Sequence, residues 1–443
     1  MKLNNIFTIV ASTFVLGFVF SCKKNSDIQS GPSINPPVII TKPVVTINST
    51  SVVSGGEFTN MTTITDKGII WGTDSSMLTV STINKISNGA AVTNFTDTIH
   101  NLQPNTTYYL KAYVTYSLGV SYGAAIKFTT PPTVYIAGYH GGSAAYWMDG
   151  KLFTLVNGTY AHSIHVVGND VYVAGEDNGG AGLRAVYWKN GTPVYLTNGT
   201  NAALANSIYV NGNDIYVAGY ELNNNDANTP IARYWKNGVP VSLTAGNGYN
   251  SGIIYSICVI GSDVYAAGFT SNAYLGHQIA TYWKNGIAFP LSDSNHTIAS
   301  SQSIFVKGND IYVAGKEKPG LGIPGVPVAK YWKNGTGVSL TSGEQFAGAN
   351  SVFVAGSDLY VAGYEYDGST GYSVAKYWKN GLPVSLTDGT KYGGAYSIFV
   401  MGSDVYVAGG EDDYFDAKCW KNGTSLPLEI NTQYSRSVSV FVQ

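Results

Sequence analysis

Charge is scarce in this sequence. Asp, Glu, Lys and Arg make up 12% of 443 residues, and 25 basic residues nearly cancel 27 acidic ones. A chain with 44% apolar residues and so little charge is not a disordered profile, and it lacks the basic footprint of a nucleic-acid binder. Cysteine is nearly absent, with Cys22, Cys258 and Cys419 the only three. The last two fall at aromatic positions of a repeat, three repeat units apart, which argues against a disulfide and for small buried thiols. Six scattered histidines show no metal-ligand spacing. Helix signals are nearly missing, while Val, Ile, Tyr, Thr, Asn and Gly dominate, so the chain reads as all-β. Its length exceeds one ordinary domain.

The one long apolar run is at the start. Met1 to Asn5 form a short basic region, and "IFTIVASTFVLGFVF" follows, too short for a comfortable membrane span. Then comes "VFSC", with Ser21 before Cys22 and Lys23-Lys24 after it. This resembles the lipobox of a bacterial lipoprotein, which implies a signal peptide over residues 1–21 and a lipidated Cys22. Plain secretion, with Cys22 discarded, is the other reading. Residues 22–37 are rich in Ser, Pro, Asn and Lys and read as a tether. The resemblance implies a cell-envelope, outer-membrane lipoprotein held to the membrane through Cys22, on the periplasmic or cell-surface face. Surface-export signals are usually acidic after the cysteine, and Lys23-Lys24 departs from that.

Between residues 38 and 130 short strands alternate with turns. "NLQPNTTYYLKAYVTY" sets Leu102, Pro104 and Tyr108 in the relation of a tyrosine corner, with Trp71 expected as a core aromatic. The segment resembles a fibronectin type III domain of the kind common in secreted Bacteroidetes proteins, and it reads as a spacer. No Arg-Gly-Asp triplet is present.

From residue 131 the chain is periodic. A Ser-Ile/Val-x-Val phrase recurs at Ser163, Ser207, Ser256, Ser303, Ser351, Ser397 and Ser439. Tryptophan recurs at Trp147, Trp188, Trp235, Trp283, Trp332, Trp378 and Trp420, 41 to 49 residues apart. One unit reads "SIYVNGNDIYVAGYELNNNDANTPIARYWKNGVPVSLT". Turn chemistry cuts it into strand a (SIYVNG), strand b (IYVAG), strand c (ARYWK) and strand d (VPVSLT), with Asn-Gly as a two-residue hairpin between c and d. Four strands per such period predict a seven-bladed β-propeller over residues 131–443. The order of glycine turn, "YVAG" and tryptophan resembles kelch repeats, and "AxYWKNG" with "LT" resembles the extracellular repeats named for a His-Ala-Phe triplet. The periodic region opens on a strand b at Thr133 and ends on a strand a, Ser439 to Gln443. The tail is therefore expected to complete the first blade.

The recurrent Tyr-Trp pairs read as packing between blades. The recurrent lysines read as partners of nearby aspartates: Lys189 with Asp170, Lys236 with Asp214, Lys379 with Asp358. Function is then expected where the repeat varies, on the face of the b–c and d–a loops. The residues placed just before each strand a are expected to crown the axis: His162, Asn206, Tyr255, Gln302, Asn350 and Tyr396. The b–c loops add Tyr139 beside His140, Tyr220 with Glu221, and Tyr364 with Glu365. Aromatic and amide side chains around a shallow mouth suit a glycan or protein ligand. A structural or adhesive envelope role is the alternative, and a polysaccharide-acting enzyme comes third. Glu176, Glu221, Glu317, Glu365 and Glu411 recur at what read as equivalent positions, which points to loop geometry rather than an acid/base pair. No P-loop, Gly-x-Ser-x-Gly or His-Glu-x-x-His motif occurs. The expectation is a monomeric, non-enzymatic binding protein without cofactor, metal or nucleic acid.

Overall fold

The computed structural model describes residues 35–443 except 61–62, 92, 180–181, 224–225, 244–250, 273–276, 294–297, 319–324, 413–415 and 431–433. The expected leader, Cys22 and most of the expected tether lie outside the described residues. Strands dominate, as the composition requires, and the described helix is one 3-10 turn, Ser75–Met77. Two sheets span residues 38–129, one of four strands and one of five. Ile39, Val52, Ile69, Ile99, Leu102, Tyr108 and Leu110 form the core between them. The Gln103 amide donates to the Tyr108 hydroxyl at 3.0 Å, closing the expected corner. Trp71 is only partly buried at the margin of this core, a correction to its expected central place, because the small interior is already filled by aliphatic side chains.

Seven four-stranded antiparallel sheets follow among the described residues. In the second, strand a is Tyr160–Val167, b Asp170–Asn178, c Leu183–Lys189 and d Thr192–Tyr195. The first is assembled from both ends of the periodic region. Its strand b, Val134–His140, pairs with the chain's last strand, Ser435–Val442. Each innermost strand contacts the next around the ring, and the last returns to the first. This is a β-propeller.

The recurrent serine explains the closure. Ser163 Oγ accepts the Ile208 amide of the following sheet, and the same bond repeats from Ser207, Ser256, Ser303, Ser351, Ser397 and Ser439, at 3.1–3.3 Å. A side-chain hydroxyl thus satisfies an inner-strand amide that the sheet's own ladder leaves unpaired. Between the sheets lie the tryptophans. Trp188 is fully buried and donates through Nε1 to the Val156 carbonyl of the preceding sheet at 2.9 Å.

On the face of the a–b and c–d turns one arrangement repeats six times. Asn237 takes φ 50° and Gly238 φ 81°, as a type I′ turn needs. The asparagine accepts the Ile215 amide at 2.8 Å and donates to Asp214 at 2.8 Å, and Lys236 reaches the same carboxylate at 2.8 Å. The hydrogen bond from Lys236 is the main reason the Asp214 carboxyl lies below its ordinary range. Lys189–Asp170 and Lys379–Asp358 form as expected, both at 2.8 Å. The first sheet departs from this pattern. Asp149 stands where the others have asparagine, and its carboxylate accepts from Ser49 Oγ of the N-terminal sandwich at 2.5 Å. The constant face therefore repeats one set of turns and ion pairs, and its one altered copy bonds the N-terminal sandwich.

Around the axis, His165, Tyr209, Cys258, Phe305, Phe353, Phe399 and Phe441 take equivalent inner-strand positions. Neighbouring rings lie close: His165 to Tyr209 4.8 Å, Phe305 to Phe353 4.8 Å, Phe353 to Phe399 4.9 Å, Phe399 to Phe441 5.2 Å, and Phe441 to His165 5.0 Å. They form a collar across the central channel. Cys258 and Cys419 are buried free thiols, and burial pushes both up to about 12, which leaves them inert.

Candidate functional site

The residues expected to precede strand a instead lie within it. Strand a begins several residues earlier, and His162, Asn206, Tyr255, Gln302, Asn350 and Tyr396 each sit at a β-bulge where the register slips. Val438 is the seventh member. The physical cause is the glycine of "YVAG". A Cβ on Gly219 would lie 1.8 Å from the Leu204 carbonyl that the bulge pushes towards it. A bulge re-aims the extra side chain and increases local twist. These side chains therefore line the upper end of the channel, all partly buried.

Not all of them are available to a ligand. The side-chain amide of Asn206 donates to the Ile254 carbonyl at 2.8 Å, and that of Asn350 to Ala395 at 2.9 Å, both across to the next sheet. Gln302 donates to Ser300 Oγ at 3.0 Å. His162 lies 3.4 Å from Glu176. Glu221 and Glu365 are ion-paired within their own sheets, Glu221 with Arg233 and Glu365 with Lys376 at 2.7 Å. Glu317 with Lys330 and Glu411 with Lys418 repeat the device. Glu176 does not belong to that set. By register it matches Tyr220 and Tyr364, and Asp177, paired with Arg184, is the true counterpart of Glu221. His140 is buried, 2.8 Å from Ser435 and edge-on to Trp147.

The aromatic members do converge. Tyr139 stacks on Tyr160 at 4.7 Å, and Tyr160 lies 6.2 Å from His162. Tyr255 leans on Phe269 at 6.0 Å, close to Tyr220. Burial pushes the Tyr255 and Tyr364 phenols up to about 12 and raises those of Tyr220 and Tyr396, so all four stay neutral donors at physiological pH.

The most developed part lies between the sixth and seventh sheets. Tyr364, Tyr366, Tyr396, Arg436, Ser373, Gly393 and Gly394 enclose a cavity of about 230 Å³. Phe346 extends the aromatic wall, 6.0 Å from Tyr364 and 5.6 Å from Tyr366, and Lys316 lies over Phe346 at 5.7 Å. Arg436 lies over Tyr396 at 4.9 Å. The missing side chain at Gly394 makes room for the Tyr396 ring, since a Cβ there would stand 2.9 Å from the Tyr396 hydroxyl. Gly394 and Gly410 face each other where the third sheet has Leu204 and Tyr220. Phe346, Tyr366, Lys316 and Arg436 were not singled out from the sequence. The lysine's signal was legible: it replaces the Tyr of "YVAGY" in one repeat only. Among the described residues no group of three or more His, Cys, Asp or Glu is placed to hold a metal ion.

No protein-family model and no curated protein matches the sequence. Among solved structures, the chain is similar to the β-propeller domain of the Trilobed protease from Pyrococcus furiosus, at 9% identity and TM-score 0.37, over 79% of this chain and 96% of that one. It is similar to an acylaminoacyl peptidase of Pyrococcus horikoshii at 10% identity and TM-score 0.38, covering 84% of this chain and 57% of the peptidase. An exo-1,5-α-L-arabinanase from a bovine ruminal metagenomic library matches at 10% identity and TM-score 0.26, over 51% of this chain and 96% of the enzyme. The ring of sheets itself, rather than these likenesses, defines the fold.

Proposed function

We propose that this chain is a cell-envelope lipoprotein, anchored through Cys22 and carrying a fibronectin type III-like spacer. Its seven-bladed propeller, with repeats of kelch-like order, binds a glycan at the mouth formed by the b–c and d–a loops. The observation that carries the reading is the cavity walled by Tyr364, Tyr366 and Tyr396. Flat rings with neutral phenol donors at their edges match the alternating apolar faces and hydroxyl rims of a sugar. On the opposite face the recurrent lysines and aspartates already satisfy one another.

The test is a glycan array followed by calorimetric titration of the strongest hit. Tyr396→Ala is expected to weaken that ligand about tenfold, the loss of one stacking surface, with the melting temperature nearly unchanged. Lys379→Ala, on the constant face, is expected to leave affinity alone. Lys379→Ala weakening binding while Tyr396→Ala does nothing would move the site to the other face and end this reading. Anchoring has its own check. Cys22→Ala is expected to leave the membrane fraction, since residues 23–37 carry no apolar run that could replace a lipid. A variant that stays in that fraction with its leader cleaved would refute the lipid anchor.

A further inference from the structure

On the strands of the propeller, cations almost always come with a counter-ion. Six lysines pair with aspartates on the constant face. Arg184, Arg233, Lys330, Lys376 and Lys418 pair with carboxylates nearer the variable face. Even the cavity of about 650 Å³ between the second and third sheets has both its arginines neutralised, by Asp177 and Glu221. Lys151, Lys307 and Lys316 have no ion pair with a described residue, and of these three Lys316 is the one that is not exposed. Lys316 is partly buried, and its ammonium lies over the Phe346 ring. Burial lowers its pKa from the ordinary lysine value. A desolvated ammonium without a counter-ion costs free energy, and an aromatic face recovers only part of it. The second cationic side chain at this aromatic wall, Arg436, lines the tyrosine cavity itself. Across the mouth the charge is reversed, with Glu176 beside His162.

This inference rests on the glycan reading above and specifies its ligand. We propose that the site takes an anionic glycan, one acidic group meeting Arg436 in the tyrosine cavity and another meeting Lys316 beyond Phe346. Tyr364 and Tyr396 then face the sugar rings, and repeated acidic groups, carboxylates or sulfate esters, supply the missing counter-ion. Gly394 lets the Tyr396 ring take this place, since a Cβ there would stand 2.9 Å from the Tyr396 hydroxyl, where the third sheet has Leu204.

The experiment titrates the purified full chain with three probes: oligogalacturonate for carboxylate, an oligomer of sulfated galactan for sulfate ester, and a neutral cello-oligosaccharide. One or both anionic probes are expected to bind at least about tenfold more tightly than the neutral one, with affinity falling as salt is raised. Which of the two wins identifies the acidic group. Lys316→Met and Arg436→Met are each expected to weaken the anionic probe about tenfold and flatten its salt dependence, the loss of one charge-assisted contact. A neutral probe that binds as tightly as the acidic ones, and still depends on Tyr396, would overturn the anionic assignment and leave the glycan reading standing. Binding of none of the three, together with an empty glycan array, would remove both.

Discussion

Deleting Ser439–Gln443 is expected to unfold the propeller under conditions where the intact chain is stable. These five residues hold the second half of the innermost strand of a sheet whose other three strands lie roughly 300 residues earlier in the chain. Val440 and Val442 are buried, and Phe441 closes the collar between Phe399 and His165. At roughly 1.5–3 kcal/mol for each buried apolar side chain, the loss is about 5–9 kcal/mol, comparable with the whole stability of an ordinary domain. The deletion also breaks the serine ring at two points, since Ser439 accepts from Ile164 and Val440 donates to Ser397. Strand Val134–His140 is left with an open edge at the axis. Thermal denaturation followed by circular dichroism reads this directly. A melting temperature equal to that of the intact chain would mean the ring does not depend on its tail.

That dependence was legible in the sequence because the two ends of the periodic region are complementary fragments of one unit. The turns were legible for the same kind of reason: Asn-Gly at six positions requires positive φ at both residues, whatever surrounds them. The starts of the inner strands were not. "SIYVNG" looks like a complete strand, yet pairing continues past the serine through a bulge to Ala203. A bulge changes the register without changing the hydrophobic pattern, so periodicity does not reveal it. Its trace in the sequence is the glycine of "YVAG" on the opposing strand, which is a packing signal rather than a turn signal. The serine's role was hidden too, because a hydroxyl that caps the next sheet's amide looks like any polar residue at a strand's edge.

The same reasoning sorts the candidate site. Tyr364 and Tyr396 were recognisable as rim aromatics, but Gly393 and Gly394 also line their shared cavity, and no motif marks absent side chains. Glu221 and Glu365 looked available because their partners, Arg233 and Lys376, sit 11 or 12 residues away on strand c, beyond loops of differing length. Glu176 looked like their equivalent because "GED" and "GYE" both follow "YVA", but its glutamate stands one residue closer to the glycine, and the pairing register bears that offset out. A one-residue slip places a side chain on the other face of its sheet. This is why Glu176 faces His162 at the mouth while Asp177 pairs with Arg184.

His165→Phe is expected to make the propeller resistant to mild acid. His165 is the one ionisable base in the collar, and burial among Tyr209 and Phe441 lowers its pKa from 6.5 to about 4. The unfolded chain therefore takes up a proton at this residue that the folded chain refuses. Because the folded value is depressed, the contribution is fully present above pH 6.5 and is lost as pH falls from 6.5 towards 4. The shift corresponds to about 3 kcal/mol at most, at roughly 1.4 kcal/mol per unit. Phenylalanine stands at the equivalent position in four of the other six sheets, so the collar has a precedent for it. Aspartates such as Asp214 also lose their ion pairs in acid, but both proteins share that loss, and the difference between them isolates the histidine. Urea denaturation of the two proteins at pH 7 and at pH 4 is expected to show the variant gaining about 2–3 kcal/mol on the parent over that interval. A stability difference that stays constant between the two pH values would mean His165 titrates alike in the folded and unfolded chain, and that the collar is open enough to water to protonate.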